Sequence, residues 1–263
     1  MTDLKNPVLD RMAKGDVAMG LSVRLVRSGE IARIAASSGH DFLFIDGQHG
    51  IFNIETVSHI AQVALEVGVA PIMRVLGTDD LMTPQLLDNG VTGIVFPDVN
   101  TVAQARRAVD LCKFPPIGRR SVGGGYPQFN FRPTPVGDAV RQLNASTAVI
   151  CMIETPEALS NVEEIAKVPG IDVLHVGCND YLVNMGLPGK FDGPEIAAVL
   201  DRVIAACKAN GKYAGLGGIR DVAAQAAWVK RGISFMTTQA DAALISSGAT
   251  AWTKGVRAAI AGS

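Results

Sequence analysis

Short apolar runs recur along the chain, and several stop abruptly in acidic, histidine or asparagine residues. Phe42–Asp46 is followed by Gly47-Gln48-His49-Gly50, Val149–Ile153 by Glu154-Thr155, and Val173–Gly177 by Cys178-Asn179-Asp180. Continuous runs of Val, Ile, Leu and Phe are the mark of parallel strands buried on both faces. Eight strands are expected, at Ala18–Val23, Phe42–Asp46, Pro71–Val75, Gly93–Pro97, Ala148–Glu154, Val173–Gly177, Tyr213–Gly217 and Phe235–Gln239. Helical patterns lie between them. In Ile54–Val67 the apolar residues Ile54, Val57, Ile60, Ala61, Ala64 and Leu65 recur at three- and four-residue steps, after Asn53 as N-cap. Thr155-Pro156-Glu157 joins a capping hydroxyl, a proline at the first helical position and an acid near the positive helix end.

Eight β-α units most simply close into a (β/α)8 barrel spanning residues 1–263. An open doubly wound sheet is the alternative, but Gly20-Leu21-Ser22 after the first strand lacks a Gly-rich dinucleotide turn. The interval 113–146 breaks the rhythm: it shows no clear periodicity and carries Pro115-Pro116, Arg119-Arg120, Gly123-Gly124-Gly125, Tyr126-Pro127, Phe129 and Phe131. A structured excursion over the barrel mouth is expected there, with a subunit-contact arm as the alternative.

Composition narrows the class. With 48% hydrophobic residues the chain can fill one large core, and a formal charge of −1 with no basic patch gives no sign of nucleic-acid binding. No run approaches the ~18 apolar residues that span a bilayer. Met1–Gly15 lacks a signal-peptide pattern. Cys112, Cys151, Cys178 and Cys207 are scattered without a C-x-x-C pair, which fits buried thiols in a reducing cytoplasm.

Polar residues at the carboxyl ends of barrel strands point into the mouth where such folds do chemistry. Glu154 and Asp180 follow consecutive strands, so they could converge on one cation and leave most of its shell to water and substrate. Equally, Glu154 could pair with a barrel arginine and Asp180 could cap a helix. Arg74 at another strand end needs either an anionic ligand or a barrel carboxylate. His49, three residues after Asp46, is a candidate general base or a satisfied structural histidine. His40, His59 and His175 are poorer candidates by position, His175 being mid-strand. No lysine ends a strand, which disfavours imine catalysis.

The segments Phe42–Gly50 (FLFIDGQHG), Pro71–Val75 (PIMRV), Met152–Ala158 (MIETPEA) and Val176–Asp180 (VGCND), in this order and spacing, resemble the HpcH/HpaI aldolase/citrate lyase family over nearly the whole chain. The resemblance implies a barrel of the phosphoenolpyruvate/pyruvate type and a divalent-metal-dependent (Mg2+, Mn2+ or Co2+) carbon–carbon lyase. Such an enzyme reversibly cleaves a 4-hydroxy-2-oxo acid to pyruvate and an aldehyde. It implies Glu154 and Asp180 as metal ligands and Arg74 on the keto oxygen. His49 would move protons, oriented by Asp46, and Asp88 would reach a neighbouring subunit's site in a trimer or hexamer. Asn179, Asp180, Met152 and Gly177 join Arg74 around the substrate. The chain departs from the family pattern at Met152, where a polar Gln is frequent, and at Cys178-Asn179-Asp180-Tyr181-Leu182, where Pro-x-Asp-Leu-Ser is common. An apolar mouth built from Met152, Tyr181, Leu182, Leu216 and Phe131 would suit a less polar aldehyde than a sugar acid's. Two other functions are weighed. An acyl-CoA carbon–carbon lyase of the citrate lyase branch would need a basic groove, for which Arg119, Arg120 and Arg132 are the visible candidates. The other is a non-catalytic barrel that binds an oxo acid.

Overall fold

Eight parallel strands close on themselves in sequence order, β1 pairing with β8, so the structure, a computed structural model describing residues 4–262, is a (β/α)8 barrel. The strands are β1 Ala18–Val23, β2 Phe42–Asp46, β3 Ala70–Arg74, β4 Gly93–Phe96, β5 Ala148–Ile153, β6 Val173–Gly177, β7 Tyr213–Gly217 and β8 Ile233–Ala240. The helices are α1 Pro7–Ala13, α2 Glu30–Ser37, α3 Ile54–Glu66, α4 Thr83–Asp88, α5 Val102–Cys112, α6 Val136–Ser146, α7 Pro156–Ser160, α8 Val162–Ala166, α9 Cys178–Asn184, α10 Pro194–Ala209, α11 Val222–Arg231 and α12 Asp241–Ala261. None is long and apolar enough to cross a membrane. The expected caps are present: Asn53 accepts from the Thr56 N–H at 2.8 Å and Thr155 from the Ala158 N–H at 3.0 Å.

The period-two alternation of a strand divides the apolar side chains into two cores. Leu43 and Ile45 of β2 face outward and join Val57, Ile60 and Ala61 of α3. Phe42 and Phe44 face inward with Ile72, Val95, Ile150, Met152 and Phe235. Phe42 and Phe235 stack with ring centroids 4.4 Å apart. Met1–Asp3 lie outside the described residues, but the rest of the polar-looking amino terminus is not open chain. Asn6 caps α1, donates to the carbonyls of Thr92 and Ser146, and seats Val8 and Met12 under the barrel. With that end plugged, access is from the carboxyl ends of the strands.

The interval 113–146 differs from expectation in two ways. Val136–Ser146 is a helix, hidden in the sequence because its inward stripe (Ala139, Gln142, Leu143, Ser146) is half polar. The remaining excursion does not cover the mouth. Gln128 donates to the carbonyls of Leu87 and Val91, just before β4, and Lys113 to those of Asn144 and Thr147, just before β5. Those contacts place it at the amino-terminal end of the barrel, around a cluster of Phe114, Tyr126 and Phe129.

The last helix, α12, is exposed along almost its whole length, with Asp241 its one buried residue. Ile245, Trp252, Val256 and Ile260, at seven- and four-residue steps, all face solvent. The four cysteines are free and buried, as expected, and burial pushes the thiols of Cys112, Cys178 and Cys207 up to about 12.

Candidate active site

A cavity of about 370 Å³ opens at the carboxyl ends of the strands. Register places Asp46, last residue of β2, directly beside Arg74, last residue of β3. The pair makes a fork: Arg74 Nε donates to Asp46 Oδ1 at 3.0 Å and Nη2 to Oδ2 at 2.7 Å. The backbone N–H groups of Gln48 and His49 add bonds to Oδ1 at 3.2 and 3.1 Å, and Arg24 Nε lies 3.2 Å from Oδ2. Burial alone would push the Asp46 carboxyl up. The Arg74 hydrogen bonds and charge, the His49 N–H and the Arg24 charge outweigh it and hold the carboxyl below its ordinary value.

Asp46 therefore acts on His49 differently from the expected way. It receives the backbone N–H of His49, while its oxygens are taken up by guanidinium groups. His49 itself is exposed on the cavity wall. Arg74 finds its partner in a barrel carboxylate, and its third nitrogen, Nη1, is left facing Met152 Sδ at 3.9 Å. A thioether is a weak acceptor, so Nη1 keeps most of its donor capacity for an incoming oxygen.

Glu154 follows β5 and is buried. Its Oε1 accepts the Asp98 N–H at 2.8 Å, and its Oε2 has no partner among the described residues. Gly177 makes room for that oxygen: a Cβ there would stand 2.4 Å from Oε2. Desolvation, set against the Asp98 N–H and reinforced by the charges of Asp98 and Asp180, pushes the Glu154 carboxyl up to about 7. Asp180 lies in the first turn of α9, exposed on the cavity wall, and that helix has no side-chain cap at its start. Neither alternative role of this pair is realised: Glu154 forms no ion pair and Asp180 caps nothing among the described residues.

An orphaned buried carboxylate oxygen beside a second carboxylate is a donor set that fits a hard divalent cation, which these two groups hold incompletely without water or substrate. No group of three or more His, Cys, Asp or Glu side chains that could hold a metal occurs among the described residues. Asn179 and Gly177 also line the cavity. Asp88 does not. It ends α4 and pairs with the buried Arg120 at 2.6 Å, beside the excursion.

Three residues were not legible as site residues. His175, on β6, points inward between Met152 and Gly217 and is fully buried. Burial, then the charges of Arg74 and Arg220, hold its pKa down at about 3, so the ring is neutral, and its Nδ1 has no partner among the described residues. Its two-residue spacing from the wall glycine Gly177 was the available signal. Arg24, just past β1, and Arg220, just past β7, also stand on the wall.

The expectation of an apolar mouth is overturned by this arrangement. Tyr181, Leu182 and Leu216 are buried in the outer core and Phe131 is exposed in the excursion, which leaves only Met152 of that set on the wall. Arginines 24, 74 and 220 dominate instead. Of the arginines expected to build a CoA groove, Arg120 is buried against Asp88 and Arg119 pairs with Asp110.

Comparison with known proteins finds relatives over most of the chain. The chain is 39% identical over 244 residues to the 4-hydroxy-4-methyl-2-oxoglutarate aldolase cghB of Chaetomium globosum, covering 91% of each chain. It is 32% identical over 245 residues to the 2-keto-3-deoxy-L-rhamnonate aldolase of Escherichia coli K12, covering 92% of this chain and 90% of that one. The crystal structure of an HpcH/HpaI aldolase from Desulfitobacterium hafniense DCB-2 superimposes with a TM-score of 0.90 at 26% identity, over 94% of this chain and 95% of that one. The model of the HpcH/HpaI aldolase/citrate lyase family matches residues 25–246. The chain belongs to the HpcH/HpaI aldolase/citrate lyase family and is a carbon–carbon lyase of the aldolase kind.

Proposed function

We propose that the cavity is the active site of a divalent-metal-dependent aldolase that reversibly cleaves a 4-hydroxy-2-oxo acid to pyruvate and an oxo compound. The observation that carries this is the unpartnered, buried Oε2 of Glu154, packed against the wall glycine Gly177 and within reach of the charges of Asp180 and Arg74. Glu154 and Asp180 would hold the cation, which when bound supplies the Lewis acid that polarises the 2-oxo group. Arg74 does the positional work. Its fork to Asp46 fixes the guanidinium plane, and Nη1 is presented to the 2-oxo oxygen as negative charge develops there. The backbone N–H groups of Asn179 and Asp180, at the start of α9, face the substrate carboxylate. His49, on the open side, takes the proton of the 4-hydroxyl as the C3–C4 bond breaks; a proton returned to C3 of the resulting enolate completes pyruvate, and both transfers run backwards in the addition direction. Neutral His175 and Met152 close the floor beneath.

Self-association fits the same picture. The uncovered apolar stripe of α12 and the excursion beside Asp88, with Ile117, Val122 and Phe131 exposed, are surfaces suited to further copies of the chain in a trimer or hexamer. Asp88 would then serve a neighbour's cavity rather than its own.

The test is pyruvate methyl exchange in D2O, followed by proton NMR. Exchange that requires Mn2+ or Mg2+ and stops with EDTA supports the aldolase. Pyruvate binding without exchange would leave an oxo-acid-binding barrel in its place.

A further inference from the structure

We infer that the hydroxyls of Ser22 and Thr237, with the His175 imidazole beside them, form a subsite for a hydroxyl group on C3 of the bound 2-oxo acid, so that the chain acts on 3,4-dihydroxy-2-oxo acids and releases hydroxypyruvate as well as pyruvate. This rests on the aldolase proposed above and deepens it at the enolate half of the substrate.

Three polar side chains on the cavity wall are uncommitted. Ser22 on β1, His175 on β6 and Thr237 on β8 line the cavity and are 6%, 1% and 3% exposed. No hydrogen bond reaches the side chain of any of them among the described residues. The inward core around them is Phe44, Met152 and Phe235, which offer no strong partner. Buried polar groups are nearly always paired, so an unpaired set facing a cavity points to a partner that arrives with the ligand.

The imidazole is aimed by the strand beside it. A Cβ at Gly215 would stand 2.6 Å from His175 Nδ1, and one at Gly217 would stand 2.6 Å from Nε2 and 3.2 Å from Thr237 Oγ1. The ring therefore lies along β7, with Nε2 toward the mouth and next to Thr237. Glycine inside a strand marks such a close approach. Phe235 meets the ring edge-on at 5.4 Å and Phe44 lies 6.0 Å away, so apolar rings close its other sides. Burial keeps the imidazole uncharged. Two hydroxyls and a neutral imidazole can each donate and accept, which matches a hydroxyl group rather than a charge.

The topology directs C3 to this place. Around the closed ring, the junction of β8 with β1 stands opposite the arc from β3 to β6. In the enolate of a 2-oxo acid, C2 carries three groups spread evenly in one plane. With the oxygen at Arg74, on β3, and the carboxylate at the start of α9, after β6, C3 is directed toward β8 and β1. The bond that breaks stands perpendicular to the enolate plane, on the side of His49. The other two substituents of C3 lie in the plane, which brings one of them to Ser22 and Thr237.

The test compares hydroxypyruvate with 2-oxobutanoate, which carries a methyl group where the first carries a hydroxyl. Calorimetry with Mn2+ present is expected to show hydroxypyruvate binding about tenfold more tightly or better. Thr237→Val keeps the side-chain shape without the hydroxyl, and His175→Phe replaces the imidazole with an apolar ring. In each variant the ratio is expected to fall to about one or below, the fold being confirmed by near-UV circular dichroism. A wild-type ratio under about threefold overturns the subsite, as does a preference that survives both substitutions. If His175→Phe does not fold, Thr237→Val decides. Pyruvate methyl exchange in D2O on the same wild-type sample separates the two proposals: metal-dependent exchange without the hydroxyl preference removes the subsite alone, and the preference without exchange removes the aldolase.

Discussion

Asp46→Asn tests whether Asp46 works through Arg74 rather than through the His49 ring. The carboxylate is 3% exposed and engages two guanidinium groups and two backbone N–H groups. An amide keeps one acceptor oxygen but turns an NH2 toward the Arg74 fork, leaving a nearly buried cation facing a donor. Breaking a buried pair in this way costs about 3–5 kcal/mol. For a chain of this size each kcal/mol shifts Tm by roughly 2 °C, so a fall of about 6–10 °C is expected by calorimetry. Activity should drop as well. A guanidinium misplaced by about 1 Å costs on the order of 100-fold, read as kcat/KM for cleavage. The pathway is separated by two double-mutant cycles. Asp46→Asn and Arg74→Ala should be strongly non-additive, with a coupling of about 1–3 kcal/mol, while Asp46→Asn and His49→Ala should add. The reverse pattern, or a variant with unchanged Tm and kcat/KM, would refute this account of the site.

Two further outcomes follow from the buried groups. Gly177→Ala puts a methyl 2.4 Å from the Glu154 Oε2, so cation affinity measured by calorimetry should fall at least about tenfold while the far-UV spectrum is retained; undiminished Mn2+ binding would show that Glu154 is not a ligand. His175 is neutral when folded because its pKa is depressed to about 3, whereas in the unfolded chain it protonates near 6.5. Its contribution to stability is therefore complete above about pH 6.5 and is lost toward pH 3 by up to about 1.4 kcal/mol per pH unit; His175→Gln should flatten that part of the urea-midpoint-versus-pH curve, and an unaltered slope would contradict it.

Most strands were legible because their runs are apolar on both faces. β1, β2, β6 and β7 coincide with their sequence patterns, and β3 is shifted by one residue because Ala70, not Val75, completes the ladder. The strand-end positions were legible for the same reason: Asp46, Arg74 and Glu154 each sit where an apolar run meets a charge. Three features were not. The helix α6 buries Gln142 and Ser146 on its inner stripe, a polarity excused by long-range hydrogen bonds such as Gln142 to the Leu4 N–H. The mouth was misjudged because Tyr181 and Leu182 turn into the core on α9, a helix whose facing cannot be read from its few residues. Arg24 and Arg220 lie 196 residues apart in loops without periodicity, and only closure of the barrel brings them to one wall.

That closure has a consequence for how the wall of the site is maintained. The seam between β1 and β8 carries a register shift at Gly20/Ser22, and Asp241, one residue past β8, ties down the chain beyond β1. The Asp46–Arg74 fork needs only the adjacent strands β2 and β3, whereas Arg24 and Arg220 come to one wall only while the first and last strands are joined. Opening of that seam would displace Arg24 and the β8 carbonyls that hold Arg220 while leaving the fork between β2 and β3 in place.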